Sequence, residues 1–150
     1  MDDIADLNIG GCFGEESKKY AETLKEYIRD ELSDSQYYTI LATKAPNNEA
    51  AKTMRRLAAD ELRHARRFSV ALFLITGETF FPPIRELPPV IVPPYKQALR
   101  ERYFAESKDA VKYPRFAEQV SDPCLKRLAI DTGKGEEEHA RIILEMLEMM

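Results

Sequence analysis

The chain contains two histidines, and each closes a Glu-x-x-His motif: Glu61-Leu62-Arg63-His64 and Glu136-Glu137-Glu138-His139. The motifs lie 75 residues apart, and the same offset carries Glu31 onto Glu106 and Tyr38 onto Tyr113. Residues three apart on a helix share a face, so each motif can offer a carboxylate and an imidazole to one point. With the two further glutamates in register, the set comprises four carboxylates and two imidazoles. That is the donor complement of a two-metal site in a helix bundle, with one Glu on each of two helices and Glu-x-x-His on each of the other two. Two divalent ions would neutralise the four carboxylates. Carboxylate and imidazole without thiolate suit iron or manganese, not zinc or an iron–sulfur cluster. A single Glu-x-x-His is commonly a surface ion pair. Two copies in shared register make a metal site the better reading, with a metal-free bundle of paired or neutralised carboxylates as its alternative.

The elements that must position these groups are helical. Apolar residues recur at helical spacing in four stripes, and each stripe contains its candidate ligands. The first runs from Tyr20 through Leu24, Ile28, Glu31 and Tyr38 to Ala45. The second is Met54, Leu57, Ala58, Glu61, His64, Ala65, Phe68, Ala71, Leu72 and Ile75. The third passes from Tyr95 through Leu99, Glu106 and Tyr113 to Val120, and the fourth from Leu125 through Glu136 and His139 to Met150. Ala45-Pro46-Asn47-Asn48 reads as a tight turn with a capping Asn, Gly77 as a C-terminal cap, and Asp122-Pro123 as a cap followed by proline in the first turn. Between the second and third stripes, residues 77–94 carry six prolines. At about 3.1 Å per residue, such a segment can run the length of a helix pair. The predicted fold is all-α: a four-helix bundle of two antiparallel hairpins joined by this crossover. Residues 1–15 form an irregular leader and residues 16–150 the bundle.

The repeat brings the candidates to one level. Identities at the 75-residue offset include Tyr20/Tyr95, Leu24/Leu99, Asp34/Asp109, Ala42/Ala117, Ala65/Ala140 and Leu72/Leu147, with no insertion or deletion. Glu31 lies fifteen residues before Pro46 and Glu61 fifteen after it. At 1.5 Å rise per residue both sit roughly 22 Å from the turn. Glu106 and Glu136 have the same relation to Ser121, so two hairpins packed core to core place all four carboxylates at one height.

Composition narrows the partners. The net charge of −4 in 150 residues gives no reason to expect nucleic acid. The longest apolar run, near Val70 to Ile75, is too short to span a membrane, and the acidic start is not a signal peptide. The expectation is a soluble cytoplasmic protein, with Cys12 and Cys124 as two free thiols.

From Tyr20 to the end, the chain resembles the ferritin-like dimetal-carboxylate superfamily, and most of all its rubrerythrin branch. The residues that carry this are Glu31…Tyr38, Asp60-Glu61-Leu62-Arg63-His64-Ala65, Glu106…Tyr113-Pro114-Arg115-Phe116-Ala117 and Glu136…His139-Ala140. The resemblance implies that Glu61 and Glu136 bridge two metals, that Glu31 and Glu106 are terminal ligands, and that His64 and His139 bind one metal each. It implies that Tyr38 and Tyr113 hydrogen-bond ligand carboxylates and that Asp60 orients an imidazole across the bundle. The repeat mate of Asp60 is Gly135, which makes the two metals inequivalent. Asp109 is the nearest match to a further carboxylate that the family carries on the third helix. The implied activity is reduction of hydrogen peroxide, or less efficiently dioxygen, at two iron ions, with electrons from an external carrier protein, because no rubredoxin-type Cys-x-x-Cys is present. A homodimer is implied in the same way. Alternatives are ferrous-iron oxidation with storage or delivery, and a dimanganese catalase-like site. Gly133 and Gly135, inside the fourth helix, are expected to permit close packing or to mark a mobile ligand segment.

Overall fold

The computed structural model describes residues 11–150. Residues 1–10, most of the expected leader, lie outside the described residues. A 3-10 helix at Glu15–Tyr20 leads into α1 (Ala21–Lys44), which is followed by α2 (Asn48–Thr76), a 3-10 turn at Ile84–Glu86, α3 (Tyr95–Gln119) and α4 (Pro123–Glu148). No strand occurs among the described residues. α1 packs along α2, and α3 along α4. The architecture is a four-helix bundle of two hairpins.

Local chemistry sets the helix ends. The Asn47 side chain accepts from the Ala50 amide, satisfying one of the free N–H groups at the start of α2. α2 stops at Gly77, whose φ of 79° lies in the left-handed region. Asp122 caps α4 by accepting from the Cys124 and Leu125 amides, with Pro123 in the first turn. Pro114 sits within α3 and cannot donate to the carbonyl of Ala110. Gly133 of α4 faces that place: a Cβ there would come 2.8 Å from Pro114 Cδ. The glycine accommodates the proline ring.

The core is divided. One apolar cluster includes Leu24, Tyr27, Ile28, Phe68, Tyr113 and Phe116. A second includes Tyr38, Leu41, Met54, Leu57, Leu99 and Ile143. The crossover spans both, with Phe80 and Leu87 packed on the first and Val90 and Val92 on the second. It therefore runs lengthwise along the bundle.

One sequence expectation is corrected. Cys12 and Cys124 are not free thiols; they form a disulfide, with a Cα–Cα distance of 5.2 Å. A separation of 112 residues conceals the proximity, which arises because Asp122 holds the leader beside the start of α4. Its Oδ2 accepts from the Gly14 amide at 2.9 Å, while Oδ1 caps the helix. Among the described residues, no helix is long and apolar enough to cross a membrane.

Candidate metal centre

Between the two apolar clusters lie six polar side chains that the helices bury almost completely: Glu31, Glu61, His64, Glu106, Glu136 and His139. They come from all four helices, two each from α2 and α4. Both histidines point Nδ1 into the cluster. His64 Nδ1 is 2.8 Å from Glu31 Oε1 and 3.2 Å from an oxygen of both Glu61 and Glu136. His139 Nδ1 is 3.3 Å from oxygens of Glu61 and Glu106 and 3.6 Å from Glu136. The ligand atoms sort into two overlapping groups, Glu31–Glu61–His64–Glu136 and Glu61–Glu106–Glu136–His139, each within 4.8 Å. Glu61 and Glu136 belong to both.

The donor set fits a pair of cations. Six buried carboxylate oxygens have no hydrogen-bond partner: Glu31 Oε2, Glu106 Oε2 and both oxygens of Glu61 and of Glu136. Each orphaned group is a net cost to a metal-free interior, and each is an open coordination position. Burial, reinforced by Glu136, raises the Glu31 carboxyl well above its ordinary range, and burial does the same to Glu136. Burial, with Glu31 and Glu106 nearby, pushes Glu61 up to about 7. Burial opposes charge on both imidazoles, but their glutamate neighbours, and Asp60 in the case of His139, drive each to about 12. Without metal, the cluster holds protons where cations would sit.

The comparisons with known proteins agree with this geometry. The Rubrerythrin family profile matches residues 22–78, which contain Glu31, Glu61 and His64. The uncharacterized protein YhjR of Bacillus subtilis (strain 168) is 30% identical over 117 residues, covering 78% of this chain and 79% of its own. The chain belongs to the rubrerythrin family. No solved structure matches it significantly. The profile covers α1 and α2; the second hairpin is the internal repeat of that matched half.

In this rubrerythrin-family chain, the surroundings break the repeat symmetry. On one side His139 Nε2 lies 2.9 Å from Asp60 Oδ2, the contact expected of Asp60, and this bond holds the Asp60 carboxyl below its ordinary range. Tyr38 donates to Glu106 Oε1 at 3.2 Å and accepts from Arg102 Nε at 3.1 Å. Burial works against charge on Glu106, yet His139 and Arg102 hold it below the ordinary carboxylate range. On the other side His64 Nε2 faces Gly135, where a Cβ would come within 2.9 Å. Gly135 thus serves close packing. The Tyr113 hydroxyl is buried without a partner, so the hydrogen bond expected of it is not formed. At the repeat position of Arg102 stands Tyr27, which meets the Tyr113 ring edge-on at 5.0 Å.

Arg102 is the buried functional neighbour that sequence reasoning missed. It is 6% exposed, and its Nη1 lies 3.2 Å from Asp34 Oδ1. Its signal was a guanidinium four residues before Glu106, replacing an aromatic in the repeat. Asp34 and Asp109 complete a third grouping with Glu31 and Glu136 within 4.8 Å. Asp109 also pairs with Lys112 at 3.2 Å. These two aspartates line a cleft between α1 and α3 that opens to solvent.

Proposed function

We propose that the protein is a di-iron carboxylate redox enzyme that reduces hydrogen peroxide, and less efficiently dioxygen, to water with electrons from an external carrier. The observation that carries this reading is the pair of buried ligand groups sharing Glu61 and Glu136. In it, Glu61 and Glu136, which belong to both groups, would be shared between the ions, Glu31 and Glu106 would each serve one, and His64 and His139, whose Nδ1 atoms face the cluster, would each hold one. Carboxylate and imidazole donors suit iron, with manganese the nearest competitor. When bound, a pair of ferrous ions would supply two electrons and polarise the O–O bond.

The chain's residues do the rest. Asp60 accepts the Nε2 proton of His139, which leaves the Nδ1 lone pair directed inward. Arg102 donates to the Tyr38 oxygen, so the hydroxyl proton of Tyr38 turns to Glu106 and steadies that carboxylate. Reduction of peroxide to two waters consumes two protons and two electrons. Asp34 and Asp109 stand between the cluster and the α1–α3 cleft, on a polar route by which protons enter. The carboxylates of the same cleft, Asp30, Asp34 and Asp109, which share it with Lys108 and Lys112, favour a second reading, oxidation of ferrous iron delivered there.

Elemental analysis after anaerobic loading with ferrous iron and desalting tests the site. Two irons per chain are expected, and their loss in Glu61→Gln/Glu136→Gln. Retention of iron by that variant refutes the ligand assignment. Peroxide consumed over many cycles with an added reductant supports the enzyme, whereas iron accumulating beyond two per chain supports iron handling.

A further inference from the structure

Away from the buried cluster, α2, the start of α4 and the leader enclose a groove of about 260 Å³. Its floor is apolar, built from Phe13, Ala71, Leu74 and Leu128. Among the described residues, four arginines line it, Arg63, Arg66, Arg67 and Arg127, with one acid, Asp131, while Arg63 is also paired with Asp60. The groove lining therefore carries a local excess of positive charge on a chain whose net charge is −4. The apolar surface continues outward: Val70 is 58% exposed and Leu74 54%. Solvent-facing helix positions do not require either residue.

The groove is connected to the buried cluster. Arg63 Nη2 lies 3.6 Å from Asp60 Oδ1, and Asp60 Oδ2 lies 2.9 Å from His139 Nε2. Two successive polar contacts therefore link the groove's rim to an imidazole whose other nitrogen faces the metal positions. The α1–α3 cleft, where Asp30, Asp34 and Asp109 share the lining with Lys108 and Lys112, has no such excess of one charge.

We propose that the α2–α4 groove is the docking surface for the electron donor, a small redox protein with an acidic rim around an apolar centre. This rests on the redox reading above. Charge complementarity selects the partner: the arginines attract and orient an acidic face, and the apolar floor receives its centre. The Asp60–Arg63 ion pair gives this face a polar route to the centre. Such complexes need be only small and short-lived, which agrees with a shallow groove. Two donor molecules, docking in turn, each give up one electron to the oxidised centre.

The test uses the iron-loaded, oxidised protein and two reductants in anaerobic stopped flow. One is a reduced acidic rubredoxin and the other is dithionite. Binding of the rubredoxin is also measured by surface plasmon resonance at low and raised salt. With the rubredoxin, the reduction rate should fall steeply as salt rises. Arg66→Glu/Arg67→Glu should slow it by about tenfold or more and weaken binding in parallel. Iron content and the rate with dithionite should be unchanged. An unaltered rubredoxin rate and affinity in this variant overturns the docking site, as does equal slowing with both reductants. A concentration-dependent dimer that the double substitution dissolves assigns the groove to a second copy of the chain instead. If dithionite itself fails to reduce a fully loaded centre, the redox reading fails first, and that result is distinct from a loss confined to the protein donor.

Discussion

Tyr38 and Tyr113 occupy equivalent places in the repeat and have unlike surroundings. The Tyr38 hydroxyl joins Arg102 to Glu106, so Tyr38→Phe leaves a buried guanidinium N–H unpaired and removes one donor from a carboxylate oxygen that His139 also reaches. The expected loss is about 1–3 kcal/mol of unfolding free energy. Tyr113 has no partner to lose, and Tyr113→Phe should leave the metal-free protein within about 0.5 kcal/mol of wild type or slightly above it. Urea denaturation of both metal-free variants decides this; equal losses would show that Tyr113 is bonded after all. The six candidate ligands were legible because their type, spacing and duplication coincide, and a buried carboxylate on an apolar stripe is anomalous. Arg102 was not, because arginines are frequent on helix surfaces and only the fold shows that this one points inward.

Among the elements, α2 was read almost completely: the residues it buries, from Met54 to Ile75, are those of its apolar stripe. Period and burial agree there because no other influence intervenes. In α3 and α4 packing adds a relation that no single helix encodes, the contact between Pro114 and Gly133. Gly133→Ala gains helix propensity of roughly 1 kcal/mol but drives a Cβ against a rigid ring at 2.8 Å. The single substitution should therefore be destabilising, by about 1–2 kcal/mol net. In a Pro114→Ala background the same change should become stabilising. A double-mutant cycle followed by thermal unfolding measures the coupling, and simple additivity would exclude this account. The disulfide escaped sequence analysis for a similar reason. The two cysteines are far apart in sequence, and the tertiary contacts that hold the leader beside α4, the Asp122 bond to Gly14 among them, bring them together.

For the whole molecule, the protons held by the metal-free cluster govern stability. Glu31 and Glu136 lie well above the ordinary carboxylate range, Glu61 at about 7 and both imidazoles at about 12. The folded chain therefore binds more protons than the unfolded chain across neutral pH, and stability falls as pH rises. Glu106 and Asp60, shifted down, act in the opposite sense: their contribution is lost as acid protonates them. The metal-free protein should be most stable near about pH 5–6 and weaken on passing neutrality. Bound metal reverses the sign, since its ligands must be deprotonated. Urea midpoints of metal-free protein at pH 5.5 and 8 test this; a higher midpoint at pH 8 contradicts it. The disulfide acts on the unfolded state. With its ends 112 positions apart, its loss in Cys124→Ser should cost about 5 kcal/mol by chain entropy, seen as a lowered denaturation midpoint. An unchanged midpoint would show that the leader is held without it.

The bond between Cys12 and Cys124 also closes a covalent ring. α1, α2, the crossover and α3 lie wholly within it, while nearly all of α4 is an open arm that begins where the ring is sealed. Glu136 and His139 are on that arm, and Glu31, Glu61, His64 and Glu106 are on the ring. A metal pair held by all six would fasten the arm to the ring at a second point, near the middle of its length. Release of the ions would then leave this helix held by its apolar packing and by its anchored end, while the rest of the chain kept its closed topology.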